Sequence, residues 1–115
     1  MTVQPKLKVE IEAREDARVL RVVGELDLST VNELKSHLDA ARLDRTTALV
    51  DMSGVSFIDS AGLDLLLEAA RVSNHELWAW FLVRPSEAVL VLLDLTGTTS
   101  QLPVVAPPSP TFSRG

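Results

Sequence analysis

The segment that decides the fold spans residues 47–71 and reads TALVDMSGVSFIDSAGLDLLLEAAR. It predicts a short apolar strand over residues 46–52, a turn of small residues, and a helix that begins at Ser60. The helix prediction depends on four apolar residues that share one face at spacings of i, i+3, i+4 and i+7, namely Leu63, Leu66, Leu67 and Ala70. Asp59 and Ser60 are both favoured N-cap types, and Asp64 is expected to add a carboxylate in the first helical turn.

Ser60 has two interpretations. A serine at a helix start in an arbitrary domain is more often an N-cap than anything else. The alternative is a solvent-accessible phosphate acceptor, because a helix N-terminus stabilises an anion by about 0.3–1 kcal/mol and offers it N–H donors. A phosphate would add about −1.5 to −2 charges beside Asp59 and Asp64 and would expel a partner docked on this turn. Gly62, which has no side chain, is expected to let such a partner come close.

Two strands are predicted before this segment. Residues 7–12 alternate between apolar and charged types, as is typical of a half-exposed strand. The residues that this strand directs toward the core are Leu7, Val9 and Ile11. Residues 18–25 form a more apolar run that ends at Gly24, and we expect the two strands to pair as a hairpin through residues 14–17.

The next helix is predicted to begin after Ser29 or Thr30, both of which are N-cap types. Its apolar stripe at helical spacing consists of Val31, Leu34, Leu38 and Ala41. Asp27 lies between the second strand and this helix, at the kind of end-of-strand position where sites form in α/β sheets. The residues alone leave open whether Asp27 receives a partner or only satisfies backbone N–H groups of a turn.

The C-terminal third predicts a strand, a helix and a short closing strand. A polar connection over residues 72–76 leads to a buried strand over residues 77–83. Ser86 then caps a helix over residues 87–95, and residues 101–105 add the last strand.

The last helix has no polar residue in its middle, where the sequence Leu90-Val-Leu-Leu93 runs without a break. Two alternatives follow from this pattern. Either the helix is buried on two sides, or Leu90 and Val91 form an exposed surface that mediates weak homodimer formation.

Together these patterns predict a single α/β domain over residues 1–105. It has a mixed central sheet of four to five strands with helices packed on it, in the order β-β-α-β-α-β-α-β. Residues 106–115 are rich in proline and lack apolar periodicity, so we expect a disordered tail.

Composition narrows the function. The net charge is −5 across 115 residues, without a basic stripe, which argues against direct nucleic-acid binding. There are no cysteines and no ligands at metal-binding spacing, so neither a disulfide nor a metal site is expected. No apolar run is long enough for a membrane span or signal segment, and the predicted location is the cytoplasm.

Three other chemistries fit poorly. A serine hydrolase needs Gly-x-Ser-x-Gly, but Ile58 stands two residues before Ser60. A phospho-aspartate receiver built on Asp51 would need an acidic pair after the first strand and a lysine near the end. The chain has no lysine near its end, so we interpret Asp51 as a structural carboxylate. There is no glycine-rich nucleotide loop. We therefore expect no enzymatic activity and no cofactor.

A family resemblance is carried by three segments: Phe57-Ile-Asp-Ser-Ala-Gly-Leu63, Leu49-Val-Asp-Met-Ser53 and Gly24-Glu-Leu-Asp27. Together they resemble a STAS domain of the anti-sigma factor antagonist type, over about residues 7–105. The resemblance implies that the unphosphorylated chain binds an anti-sigma factor with serine kinase activity and so frees a sigma factor. Phosphorylation of Ser60 would block that binding, and a serine phosphatase would reverse it.

The resemblance also implies a set of partner-binding residues, which are Asp27, Asp59, Ser60, Ala61, Gly62 and Leu63. Two alternatives within the same fold lack a phospho-switch. One is a scaffold module of a stress-signalling assembly, and the other is a STAS subunit of a lipid transport complex.

Overall fold

Each strand and helix predicted from the sequence is present in the computed structural model, which describes residues 4–105. The strands are β1 (Leu7–Ala13), β2 (Ala17–Leu26), β3 (Thr47–Ile58), β4 (Trp80–Val83) and β5 (Val104–Val105). The helices are α1 (Val31–Leu43), α2 (Ser60–His75) and α3 (Glu87–Thr96), followed by a 3₁₀ turn at Thr99–Gln101. The predicted order β-β-α-β-α-β-α-β is confirmed. The predicted tail over residues 106–115 lies outside the described residues.

The five strands form one mixed sheet in the order β1-β2-β3-β4-β5. β1 and β2 form the predicted antiparallel hairpin, and each later neighbour is parallel. The register of β2 and β3 ends with Leu26 opposite Ile58. Because parallel strands end at the same edge of a sheet, the segments that follow β2 and β3 begin side by side.

The hydrophobic core lies between one face of the sheet and the helices. Neighbouring residues of a strand point to opposite faces, and the fully buried residues of the central strands include Leu20, Val22, Ala48, Val50 and Leu82. Residues that alternate with them, such as Arg21 and Phe81, are exposed. Each of the three parallel connections leads to the next strand in the same direction across the sheet. Right-handed connections of this kind place all three helices on the same face.

β3 is longer than predicted, because residues 53–58 continue the strand instead of forming a turn. The cause is its partner, β2, which runs past Gly24 to Leu26 and pairs with this extension. Gly24 has a φ of 115° and lies at a register shift, so it marks a bulge and not the end of the strand. The buried Asp51 is therefore inside β3, where Ser53 donates two hydrogen bonds to Oδ1, in line with a structural role.

Two predicted boundaries in the C-terminal half were also wrong. The connection over residues 72–76 is mostly helical, because Val72 continues the apolar face of α2 and packs against the core. β4 is shorter than residues 77–83, since it pairs only with residues 48–51 of β3. The Trp78 indole N–H donates instead to the carbonyl of Thr46, at 3.0 Å.

Two burial predictions have clear outcomes. Ile11 is 52% exposed, although it was expected to face the core. It lies on β1, the strand at one edge of the sheet. On α3, Leu90 and Val91 are exposed while Leu93 is buried, so the helix is not buried on two sides.

Among the described residues, no helix is long and apolar enough to cross a membrane.

Candidate functional site

The candidate site lies where β2 and β3 end side by side. The residues that follow these strands, Asp27 and Asp59, begin the connections to α1 and α2. The N–H of Asp59 donates to the carbonyl of Leu26 at 3.2 Å, which extends the strand pairing by one bond. The N–H of Leu28 donates to Asp59 Oδ2 at 3.3 Å. These two bonds join the loop before α1 to the start of α2.

Ser60 is the first residue of α2, and it is exposed. The N-cap is Asp59, whose Oδ1 accepts a hydrogen bond from the N–H of Gly62 at 3.1 Å. The interpretation of Ser60 as the N-cap is therefore wrong. Because Asp59 performs the capping, the Ser60 hydroxyl lies at the surface beside the positive end of the helix.

The sequence predicted Asp64 in the first turn of α2, and this prediction is wrong. The first turn of α2 contains no acidic residue, and the exposed Asp64 belongs to the second turn. A phosphate on Ser60 would therefore meet Asp59 as its adjacent carboxylate.

Gly62 is buried, so the expected reason for a glycine here is wrong. A Cβ at this position would lie 2.8 Å from Ile58 Cγ1 and 2.9 Å from the backbone oxygen of Leu26. The missing side chain lets the start of α2 sit directly against the ends of β2 and β3. Leu63 is also buried, and Ala61 is half-buried. The structure thus gathers all the predicted site residues at one end of the sheet, but exposes them unequally.

Asp27 is largely buried, with a side chain that is 13% exposed. Lys6 Nζ donates to its Oδ2 at 2.6 Å. The N–H and the hydroxyl of Ser29 donate to its Oδ1 at 2.9 and 2.7 Å. Lys6 first, and then Ser29, hold the pKa of the Asp27 carboxyl down to about 2. Asp27 is therefore ionised and fixed in place, and the interpretation as a turn carboxylate matches its contacts.

Two residues near the site, Lys6 and Leu28, were not among the predicted site residues. Lys6 precedes β1, and its contact with Asp27 depends on the hairpin register, so no local pattern could have indicated it. Leu28 is 78% exposed and belongs to the loop that is hydrogen-bonded to Asp59. A signal for Leu28 was present, because an apolar residue stands between Asp27 and Ser29 in a predicted loop.

Comparisons with known proteins agree on one family. The model of the STAS domain family matches residues 8–112 of this chain. The anti-sigma-B factor antagonist of Staphylococcus epidermidis is 33% identical over 92 residues, which cover 79% of this chain and 85% of that protein.

Solved structures share the fold. An anti-sigma factor antagonist from Mycobacterium paratuberculosis superposes with a TM-score of 0.74 at 24% identity, covering 92% of this chain and 87% of the other. The Bacillus cell fate determinant SpoIIAA, in its phosphorylated form, gives a TM-score of 0.67 at 21% identity, covering 90% of this chain and 94% of the other.

The close approach at Gly62 predicts the effect of Gly62→Ala. In an open helix this change would stabilise the protein by about 0.5–1 kcal/mol. Here the added methyl group meets a backbone oxygen, and overpacking of this kind costs about 1–3 kcal/mol. We expect urea denaturation to show a net loss of stability. Asn74→Ala, at an exposed position of the same helix, is the control and should change stability by less than about 0.5 kcal/mol. A stabilised Gly62→Ala protein would contradict the packing described here.

The low pKa of Asp27 predicts a pH-dependent effect of Asp27→Asn. The folded chain keeps this carboxylate ionised down to a pKa of about 2, whereas its usual value is 3.8. Its contribution to stability is therefore present above pH 3.8 and is lost as the pH falls through about 2. Urea denaturation should show Asp27→Asn less stable than the parent near neutral pH, with a difference that shrinks toward pH 2. A difference that stays constant over this range would rule out the stabilising role of the carboxylate.

Proposed function

Because this chain belongs to the STAS domain family, we propose that it is an anti-sigma factor antagonist. In this proposal the unmodified chain binds an anti-sigma factor in the cytoplasm and thereby frees a sigma factor. The similarity to the anti-sigma-B factor antagonist of Staphylococcus epidermidis supports this function. The chain acts by binding and performs no catalysis of its own.

The proposed regulation is phosphorylation of Ser60 by the anti-sigma factor, acting as a serine kinase, and its reversal by a serine phosphatase. One observation carries this proposal: Asp59 caps α2, and Ser60 is exposed in the first helical turn. A phosphate on that oxygen would lie in the field of the helix N-terminus, which favours an anion by about 0.3–1 kcal/mol. The domain can therefore carry the modification without a change of fold.

The proposed partner surface consists of the first turn of α2 and the loop around Leu28. Leu28 offers an exposed apolar anchor, while Ser60 and Asp59 form the polar part of the surface. Gly62 and Leu63 are buried, so they hold the surface in place more than they touch a partner.

The switch in this proposal works by charge. A phosphate adds about −1.5 to −2 charges at Ser60, close to the side-chain carboxyl groups of Asp59 and Asp27. A partner that fits the neutral hydroxyl would then have to bury an anion next to other anions, and juxtaposed like charges cost several kcal/mol at an interface. The partner is released without any movement of the backbone.

The test is the affinity of three variants for the cognate anti-sigma factor, measured by isothermal titration calorimetry. Ser60→Asp should weaken binding by about tenfold or more, which corresponds to about 1.4 kcal/mol. Ser60→Ala should bind about as well as the parent. The control is Ser100→Asp, which adds the same charge at an exposed serine. Ser100 lies in the 3₁₀ turn before β5, the edge strand that is two strands away from β3. Parent-like binding by Ser60→Asp, or equal losses at both serines, would refute a switch by charge at this turn.

A further inference from the structure

Lys6 is a cation at the end of the sheet where Asp27 and Asp59 lie. Its Nζ donates to Asp27 Oδ2 at 2.6 Å and to Ser29 Oγ at 3.3 Å. The two halves of this ion pair differ in accessibility, since the Lys6 side chain is 48% exposed and that of Asp27 is 13% exposed. The carboxylate is therefore fixed inside the loop, while the ammonium group lies at the surface.

Three carboxylates act electrostatically on this ammonium group. Glu25 belongs to β2, Asp27 to the loop that follows it, and Asp59 to the cap of α2. Asp27 first, and then Glu25 and Asp59, raise the pKa of Lys6. Asp59 precedes Ser60 and accepts a hydrogen bond at 3.3 Å from the N–H of Leu28, the residue after Asp27, so a phosphate on Ser60 would enter the same group of carboxylates. Asp64, one turn further along α2, adds another exposed carboxylate on the side of the helix.

We propose that Lys6 binds the phosphate of phosphorylated Ser60. This inference rests on the proposed phosphorylation of that serine. A phosphate carries about −1.5 to −2 charges and three acceptor oxygens, whereas the Asp27 carboxylate carries one charge. A lysine has three donors on a flexible four-carbon stem, so the ammonium group can turn toward the stronger anion.

The contacts of Asp27 make this exchange feasible. When Lys6 turns away, Asp27 Oδ1 keeps both hydrogen bonds from Ser29, at 2.9 and 2.7 Å. The carboxylate is then still hydrogen-bonded, so its ionised form is not left without a partner. Lys6 thus neutralises Asp27 before modification and part of the phosphate afterwards, which lowers the repulsion that the modification creates inside the domain.

The test reads the phosphate itself. Phosphoserine is installed at position 60 during translation, so no kinase is needed, and ³¹P NMR follows the titration of its second proton. In the parent chain Lys6 should hold the phosphate pKa below its value in the Lys6→Gln chain. We expect the acid dissociation constant to fall by about threefold in Lys6→Gln, the size typical of an exposed ion pair. Lys6→Arg retains a cation and should stay close to the parent.

The matched control is Lys8→Gln. Lys8 lies two residues further along the chain, inside β1, its side chain is 58% exposed, and it pairs with Glu10 instead of Asp27. Its removal takes away the same charge but should leave the phosphate pKa unchanged. An unchanged phosphate pKa in Lys6→Gln, or an equal change in Lys8→Gln, would overturn the proposal.

Two further measurements separate this inference from its premises. Heteronuclear NMR spectra of unmodified Lys6→Gln show whether the domain keeps its fold. Binding of the phosphoserine chain to the anti-sigma factor tests the proposed function separately. If that chain still binds, the switch fails, whatever Lys6 does. If it is released while Lys6→Gln leaves the phosphate pKa unchanged, only the role of Lys6 fails.

Discussion

The parallel pairing of β2 with β3, carried through to Leu26 opposite Ile58, is the constraint on which the site depends. It brings two loops together, and Asp59 then joins them with a single side chain. One carboxylate oxygen of Asp59 caps α2 through Gly62, and the other accepts the N–H of Leu28. Because Asp59 is used in this way, the following serine is left at the surface. The exposure of Ser60 is thus a consequence of strand register.

The same end of the sheet is closely packed and carries several carboxylates. Asp27 is held by Lys6 and by two hydrogen bonds from Ser29, and Gly62 allows α2 to pack without a gap against Leu26 and Ile58. A site built this firmly has little freedom to change shape when it is modified. In the proposed switch, charge is therefore the variable that changes, and a phosphate on Ser60 would add about −1.5 to −2 charges.

Local patterns were sufficient for the existence and order of the elements, because apolar periodicity depends only on neighbours in the sequence. They failed where a distant partner decides the outcome. β3 extends to Ile58 because β2 lies beside it, and Gly24, which looked like the end of a strand, is a bulge within that pairing. Asp27 and Ser60 could be identified from their positions between a strand and a helix. Lys6 could not, because only the folded hairpin brings it to Asp27. Gly62 was among the predicted site residues, but only the atoms that surround it show that the missing side chain serves packing inside the domain.

The most direct test of a serine placed for modification is to locate the phosphate. The unmodified chain is incubated with its anti-sigma factor and ATP, and the product is digested with trypsin and sequenced by tandem mass spectrometry. Cleavage after Arg45 and Arg71 yields one peptide that contains Ser53, Ser56 and Ser60, so fragmentation distinguishes the three hydroxyls. The structure predicts phosphate on Ser60, with release of the anti-sigma factor as it accumulates. Phosphate on Ser53 or Ser56, or a chain that stays unmodified while bound to an active kinase, would contradict the account.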